Sequence, residues 1–476
     1  MLKIWYNELQ GSDIVRIYNT LNRQIENFIP NHPDEVTMYT CGPTVYHYAH
    51  IGNLRTYIFE DVFEKSLKYL GYNVKRCMNI TDVGHLSSDS DTGEDKMLKG
   101  AKREQKSVLE IAAYYTDEFK KDCEKLNIRW PDIVSAATEN IDEYIKIIEN
   151  LLSKDYAYIS GGNVYFDTST LADYYALTNH REDEMVVGAR LGVEEDDSKR
   201  NQADFVLWFT KSKFDDQELK WNSPWGYGYP GWHIECSGIA LKYLGEYLDV
   251  HCGGVDNIFP HHTNEIAQSE GYLGHKWCNY WVHGEHLNDQ SGKMSKSAGE
   301  FLTVSLLESK GYDLLAYRFM CLNSHYRNQL IFSYEALDNA ISAYEKLRNK
   351  TSDLGDNEDS TNTEEYIDKF KEALANDLNT SAAITVLYDV LKSDLTDAQK
   401  RFLVASFNQV LSLNLLSKKD ETIDEELEAF IKQKIEERNE AKEKKEYERA
   451  DSIRNELLER GISIKDTREG TIYEVK

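Results

Sequence analysis

Val36-Thr37-Met38-Tyr39-Thr40-Cys41-Gly42-Pro43-Thr44-Val45-Tyr46-His47-Tyr48-Ala49-His50-Ile51-Gly52-Asn53 is the stretch on which the reading of this chain turns. Its first six residues, VTMYTC, have the β-branched, aromatic and apolar content of a strand, and Gly42-Pro43 ends it. From residue 55 to 70 the period changes: Phe59, Phe63, Leu67 and Leu70 fall on one helical face before Gly71 closes it. Val74 to Thr81 returns to strand character. Strand, loop, helix and strand within about 45 residues make a βαβ unit, which implies a parallel sheet. The pattern returns over 247–272, where YLDVHC reads as a strand, GGVD as a turn, and Pro260 as the opening of a helix reaching Tyr272. Two such halves predict an α/β fold: a doubly wound, parallel-sheet, Rossmann-like catalytic domain with a long insertion between its halves. No GxGxxG is present, which argues against the dinucleotide-binding version.

Outward from this core, a chain of 476 residues exceeds what one hydrophobic core usually organises, so several domains are expected. Residues 1–110 and 228–300 form the two catalytic halves in this reading, and 111–227 form the insertion between them. Asp353 to Asp368 carries seven acidic residues and no basic one, which suits a solvated linker. Helical patterns dominate after it, giving a helical bundle domain over 351–420. A second acidic stretch from Asp420 to Glu428 marks another boundary, and 421–476 reads as a small α+β tail: a charged helix followed by the β-like GISIKD and TIYEVK.

Composition narrows the function classes. With 41% hydrophobic residues, 12% aromatic residues and 7 prolines, this is globular composition rather than disorder. The opening residues lack a basic stretch followed by an apolar one, and no segment approaches the roughly 18 apolar residues of a membrane span, so a cytoplasmic protein without a membrane partner is expected. The 7 cysteines are scattered, with no C-x-x-C pair, which argues for reduced thiols. A net charge of -27 argues against a general nucleic-acid binder, so such a partner requires local basic surface. Residues 432–476 balance 12 Lys and Arg against 12 Asp and Glu, so the whole negative excess lies before them. A solvated charged helix has the same composition.

Two elements carry phosphate chemistry. His50-Ile51-Gly52-Asn53 leads into a helix, and helix N-termini bind phosphate through free N–H groups and the dipole; the same four residues also fit a structural turn. Lys293-Met294-Ser295-Lys296-Ser297, between Gly292 and Gly299, places two cations and two hydroxyls on a loop with permissive ends, as a phosphate clamp requires. The bland alternative is a basic surface turn. Together the pair resembles the two nucleotide signatures of class I aminoacyl-tRNA synthetases.

His261 and Glu265 are four apart on an expected helix and can reach one point, with Cys41 and Cys236 in or beside the two halves. Taken singly, each also fits a buried cysteine or a solvated His/Glu pair. His262 is a second imidazole at i,i+3 to Glu265, and spacing does not choose between the histidines. The stretches TCGPTVYHYAHIGN, GYPGWHIECSG and GGVDNIFPHHTNEIAQSE closely resemble the cysteinyl-tRNA synthetase family. GYNVKRCMNITDVG, HYRNQLIFS and ERADSIRNELLERGISIKDTREGTIYE extend the resemblance over nearly the whole chain.

The resemblance implies ATP-dependent ligation of L-cysteine to tRNA(Cys) through a cysteinyl-adenylate, with Mg2+ accompanying ATP. It implies one Zn2+ per chain on Cys41, Cys236, His261 and Glu265, selecting cysteine through its thiolate. Catalytic roles fall on His50, Asn53, Lys293 and Lys296 as donors to phosphate oxygens. ATP contacts fall on Gly52, Gly253, Asp256, Lys293, Ser295 and Lys296, with a turn-capping role as the alternative for Asp256. Cys41, Thr81, Trp232 and His251 line the amino-acid pocket by the family pattern, with a scaffold role as the alternative for the last three. Residues 301–350 become a stem-contact region, 421–476 an anticodon-binding domain, and the working form a monomer. Asn53 departs from the histidine usual at the last position of the first signature, and VGHLSSDSDTGEDKM departs from the family pattern and carries no assigned role. Two other readings stand beside this one: a cysteine ligase acting on an amino-sugar, which lacks the tRNA-binding tail, and a non-catalytic tRNA-binding paralogue.

Overall fold

In the computed structural model, which describes residues 14–83, 96–178, 198–211, 218–289, 292–293, 301–417, 425–444, 446–460, 462–467 and 470–475, the chain enters through an antiparallel hairpin of β1 (Arg16–Asn19) and β2 (Gln24–Asn27). β3 (Val36–Thr40) follows, buried at all five positions, as a strand covered on both faces must be. The helix after it, α1 (Ile51–Tyr69), begins four residues earlier than its apolar stripe suggests. The reason is its cap: His50 Nδ1 accepts the Gly52 N–H at 3.0 Å, and the Asn53 side chain reaches back to the His50 N–H. HIGN is therefore the first turn of the helix rather than a loop ahead of it. The helix ends at Leu70, and Gly71 takes φ 96°, a left-handed conformation that suits glycine.

β4 (Val74–Ile80) pairs parallel with β3, and α2 (Lys96–Glu104) and α3 (Val108–Lys125) lead to β5 (Ile133–Ala136). β5 pairs parallel with β4, so the first half of the sheet domain runs past the expected boundary at 110. Four residues, three of them half-buried, carry too little periodicity to announce that strand. α4 (Ile141–Ser153) follows, and the insertion proper is an antiparallel sheet of β6 (Ala157–Ser160), β7 (Asn163–Phe166), β8 (Phe205–Phe209), β9 (Trp221–Ser223) and β10 (Gly226–Pro230), in the order β6-β7-β8-β10-β9. The second half comprises α5 (Trp232–Leu244), β11 (Leu248–Gly254), α6 (Thr263–Leu273) and β12 (Cys278–Gly284). Pro260 opens the helix as expected: Phe259 before it is extended, Pro260 to His262 form a π-helical turn, and α6 continues it from Thr263 to Leu273.

The central sheet has the order β12-β11-β3-β4-β5, every pair parallel. In chain order of these five strands this is 5-4-1-2-3, the doubly wound arrangement, with its switch point between β3 and β11. Alternation divides each strand between two cores. Met38, Val74, Val250 and Val282 pack with Phe59, Phe63 and Leu67 of α1, whereas Tyr39, Cys77 and Trp281 pack with Ile147 of α4 and with Ile234 and Ile239 of α5.

β13 (Leu287–Asp289) and β14 (Gly292–Lys293) form a short hairpin, α7 (Val304–Ser309) and α8 (Leu314–Leu322) follow, and β15 (Leu330–Ile331) pairs parallel with β13. Four helices come next: α9 (Tyr334–Ser352), α10 (Glu364–Ala375), α11 (Thr380–Lys392) and α12 (Asp397–Leu411). The buried Arg318 guanidinium of α8 donates to Leu126 O, Leu411 O and Asp61, joining these helices to the sheet domain. The acidic stretch at 353–368 is not a free linker. Arg401 donates to Gly355 O at 2.6 Å, Gln399 to Thr361 O at 2.7 Å, and Asp359 N to Ala398 O at 3.1 Å, pinning it against α12.

Residues 1–416 form one compact unit, with no break at 350, and 417–476 form a second. The second unit contains α13 (Glu425–Glu443), α14 (Tyr447–Glu459) and the antiparallel hairpin β16 (Ile462–Thr467) and β17 (Gly470–Val475). Among the described residues, no helix is long and apolar enough to cross a membrane.

Candidate active site and metal centre

The switch point places the C-terminal ends of β3 and β11 side by side, and a cleft of about 350 Å³ opens there. Its walls include Cys41 and Gly42 after β3, Ala49 and Asn53 at the start of α1, Trp232 at the start of α5, and Gly253 and Asp256 beyond β11. Gly42 is fixed by crowding. Its N–H donates to Asn79 Oδ1 at 2.7 Å, and a Cβ there would lie 1.6 Å from Asn79 O. Gly253 is pressed by His262 and Asn257, whose nearest atoms would stand 2.8 and 3.0 Å from a Cβ.

The cap of α1 has chemical consequences. Because His50 Nδ1 accepts a backbone N–H, the neutral ring carries its proton on Nε2, which becomes a hydrogen-bond donor. The Asn53 Oδ1 faces the His50 N–H at 3.4 Å, leaving the amide's donor end for the cleft that Asn53 lines. An amide thus completes the capping box and still offers an N–H, two tasks that fit asparagine at this position. Of the expected clamp, β14 carries the Lys293 backbone, paired with Asn288. Ser295 and Lys296 lie outside the described residues, as does most of the VGHLSSDSDTGEDKM stretch.

Behind Cys41, which lines the cleft, Cys236, His261 and Glu265 bring their ligand atoms within 4.8 Å of its sulfur and of one another. Three of the four side chains are buried, and Cys41 is half-buried toward the cleft. Trp232 stacks on His261 with ring centroids 4.4 Å apart. The His261 Nδ1 sits 2.9 Å from His233 Nδ1, which fixes the ring with Nε2 toward Glu265 Oε1 at 3.1 Å. That Glu265 oxygen is buried and has no hydrogen-bond partner despite the short distance, because the approach is not that of a hydrogen bond. A buried carboxylate oxygen so placed costs about 1–3 kcal/mol unless something else occupies the point both atoms face. Two thiols, an imidazole and a carboxylate converging there are the donor set of a zinc-type centre. Burial pushes the Cys236 thiol up, but the hydrogen bond to Cys41 and the neighbouring His261 bring it down to about 6, while burial and Cys236 hold the Cys41 thiol high. A cation bound there would displace the thiol protons that remain.

Residues 27–342 match the family model of the tRNA synthetases class I (C) catalytic domain, and residues 369–393 match the DALR domain. The cysteine--tRNA ligase of Treponema denticola is 45% identical over 95% of this chain and 98% of its own length. That of Borreliella burgdorferi is 44% identical over 96% and 99%. The chain belongs to the cysteine--tRNA ligase family. Methionyl-tRNA synthetase of Mycobacterium tuberculosis, in complex with methionyl-adenylate, is a solved structure with a TM-score of 0.52 over 80% of this chain and 90% of that one; at 13% identity the likeness is one of fold.

Within this cysteine--tRNA ligase family member, not every expected pocket residue reaches the cleft. The Thr81 hydroxyl, 1% exposed, accepts from Asn79 Nδ2 at 3.1 Å and donates to Glu235 Oε2 at 3.0 Å. His251, fully buried, lies with Nε2 2.8 Å from Glu265 Oε2 and its ring stacked on Trp281. Both therefore stand behind the floor and position it, rather than lining the cleft; each sits on or just after a strand whose side chains turn into the core. Reading the sequence did not single out the ring of groups behind the metal donors: His233, His283, Thr20 and Glu235. Burial holds Glu235 well above the usual carboxylate range and His233 and His262 well below the usual imidazole range, so both rings are neutral near pH 7. The doublet His261-His262 and the WHIEC run were the available signals. Arg55, two residues beyond Asn53, was also missed. Its buried guanidinium donates to Glu285 O at 2.8 Å, His286 O at 2.5 Å and Asn328 O at 2.6 Å, tying α1 to the segments that lead into β13 and β15.

Proposed function

We propose that this chain activates L-cysteine with ATP and transfers it to tRNA(Cys), acting in the cytoplasm as a monomer. The cysteine carboxylate attacks the α-phosphorus of ATP, the bond to the β-phosphate oxygen breaks, and cysteinyl-adenylate and pyrophosphate form. A ribose hydroxyl of the tRNA terminus then takes the acyl group, and AMP leaves. Little covalent work falls on the protein, since transfer at phosphorus is accelerated by positioning and charge stabilisation.

His50 through Nε2–H and Asn53 through its amide donate to phosphate oxygens at the start of α1, with Lys293 and Lys296 supplying cations and Ser295 a hydroxyl. Gly52 and Gly253 leave room for the nucleotide, and Asp256 accepts from its adenosine part with Mg2+ carried on the phosphates. Zinc held by Cys41, Cys236, His261 and Glu265 would supply an electrophile that prefers a thiolate to a hydroxyl. Shape alone separates such close analogues by only about 1–3 kcal/mol. Trp232 shapes the side-chain pocket, and Thr81 and His251 hold its floor. Residues 301–350 contact the acceptor stem, and the second unit reads the anticodon.

The single observation that carries this reading is the convergence of two thiols, an imidazole and an orphaned carboxylate oxygen behind a cleft that Cys41 and the capped end of α1 both line. ATP–pyrophosphate exchange with each amino acid in turn tests it. Cysteine should support exchange and serine should stay at background; exchange driven by another amino acid, or none at all from folded, zinc-loaded protein, would overturn it.

A further inference from the structure

The donors behind the cleft belong to two overlapping sets. Cys41, His251, His262 and Glu265 also bring their ligand atoms within 4.8 Å of one another. Cys41 Sγ lies 3.2 Å from His262 Nε2, and Glu265 Oε2 lies 2.8 Å from His251 Nε2. The carboxylate is divided between the sets, with Oε1 toward His261 at 3.1 Å and Oε2 toward His251.

An imidazole that ligates a metal nearly always has its other nitrogen held by an outer hydrogen bond, which fixes tautomer and orientation. His262 has that support. Its Nδ1 meets His283 Nε2 at 2.8 Å, and His283 Nδ1 meets Thr20 Oγ1 at 2.7 Å. The hydroxyl of Thr20 can both give and take a proton, so the chain of two rings can settle with Nε2 of His262 bare toward Cys41. His261 has the equivalent support from His233. Two adjacent histidines on the same turn are therefore each braced from behind, and each faces a thiol, Cys236 for His261 and Cys41 for His262, and the same carboxylate.

We infer that Cys41, His251, His262 and Glu265 form a second position for the same divalent cation, alternative to the first. This rests on the reading of Cys41, Cys236, His261 and Glu265 as a zinc site. The sets share Cys41 and Glu265, so they hold one ion between them rather than two. They differ in character: the first offers two sulfurs, one nitrogen and one oxygen, the second one sulfur, two nitrogens and one oxygen. An ion in the second position sits in a harder field with Cys236 left out.

Cobalt-loaded full-length protein tests this, because sulfur-to-cobalt charge transfer counts thiolates. Wild-type protein should show a two-thiolate band at one cobalt per chain. Cys236→Ala should keep one cobalt per chain with the band reduced to about half, as one thiolate remains. His262→Ala alone should leave the wild-type spectrum unchanged. The double substitution Cys236→Ala with His262→Ala should bind cobalt at least roughly tenfold more weakly than Cys236→Ala alone, the loss expected when a ligand is removed. Circular dichroism checks the fold of each variant, and where Cys236→Ala does not fold, His261→Ala breaks the first set at its nitrogen and should likewise retain one cobalt on a one-thiolate band. A folded Cys236→Ala or His261→Ala protein that loses its cobalt overturns the second position, as does a double variant that binds as well as the single. A wild-type protein lacking the two-thiolate band overturns the first set instead, so the two failures are distinguishable.

Discussion

Gly42 and Gly71 both follow the end of an element, yet the structure assigns them unlike constraints. At Gly42 a methyl group would overlap the Asn79 carbonyl, and both partners are backbone, so neither can turn aside. Gly42→Ala should cost about 3 kcal/mol or more and appear as a large fall in Tm. Gly71 has left-handed φ but open space, so Gly71→Ala should cost only about 1 kcal/mol in the same measurement. Asn53 separates capping from chemistry. Aspartate caps as well as asparagine but cannot donate and adds a charge facing phosphate, so Asn53→Asp should leave Tm within about 1 kcal/mol of wild type while lowering ATP–pyrophosphate exchange by roughly 100-fold. Equal losses of stability and exchange would reduce Asn53 to a cap. Glu60, buried on α1 with Oε1 unpartnered, has its carboxyl raised by burial to about 8. The folded state therefore holds a proton that the unfolded state releases near pH 4.5, and the stability this group contributes is full below that pH and drains away as pH rises toward 8. Glu60→Gln should flatten the decline, which is at most about 1.4 kcal/mol per pH unit, in unfolding curves taken between those limits.

At the scale of elements, Arg55 shows how a helix that starts at the rim of the cleft is held to its neighbours. Three carbonyls from two separate segments depend on one planar guanidinium, and lysine cannot reproduce the fork. Arg55→Met should lower the denaturant midpoint by about 3 kcal/mol equivalent with an unchanged m-value, and Arg55→Lys should recover only part of it. This contact was not legible in the sequence, because an arginine inside a helical pattern looks the same whether it faces water or carbonyls. Elements with strong periodicity were legible: β3, α1, β4 and β11 fall within a few residues of where the pattern put them. Those read poorly were set by tertiary contact. β5 is four residues long and gains its place from β4, and the acidic segment at 353–368 is pinned by Arg401 and Gln399 although its composition suits solvent. The candidate site divides the same way. The residue types of the metal set and their clustering were readable, whereas Thr81 and His251 were expected at the wall and stand behind it, since a strand position fixes a side chain's face but not its depth.

The whole molecule separates into two units, and the separation can be cut. Leu413 and Leu415 are fully buried in the first unit, so a chain ending at Leu416 retains its core, whereas one ending before Leu413 would open it. The 1–416 protein should keep ATP–pyrophosphate exchange near the full-length rate and lose tRNA charging by more than roughly tenfold, if activation and anticodon reading reside in different units. Loss of exchange from a folded 1–416 protein would assign part of the activation chemistry to the tail. Within the first unit, the sheet that creates the cleft brings β3 beside β11, with the insertion strung between them in sequence. Cys41 comes from the first half, and Cys236, His261 and Glu265 from the second. These donors meet only after about two hundred residues of intervening chain have closed into a loop, a slow and entropically costly event in folding. Metal uptake at this site during refolding would therefore be a clock for the docking of the two halves: an ion could be captured only once β3 and β11 have paired, and from that moment it would hold the loop shut.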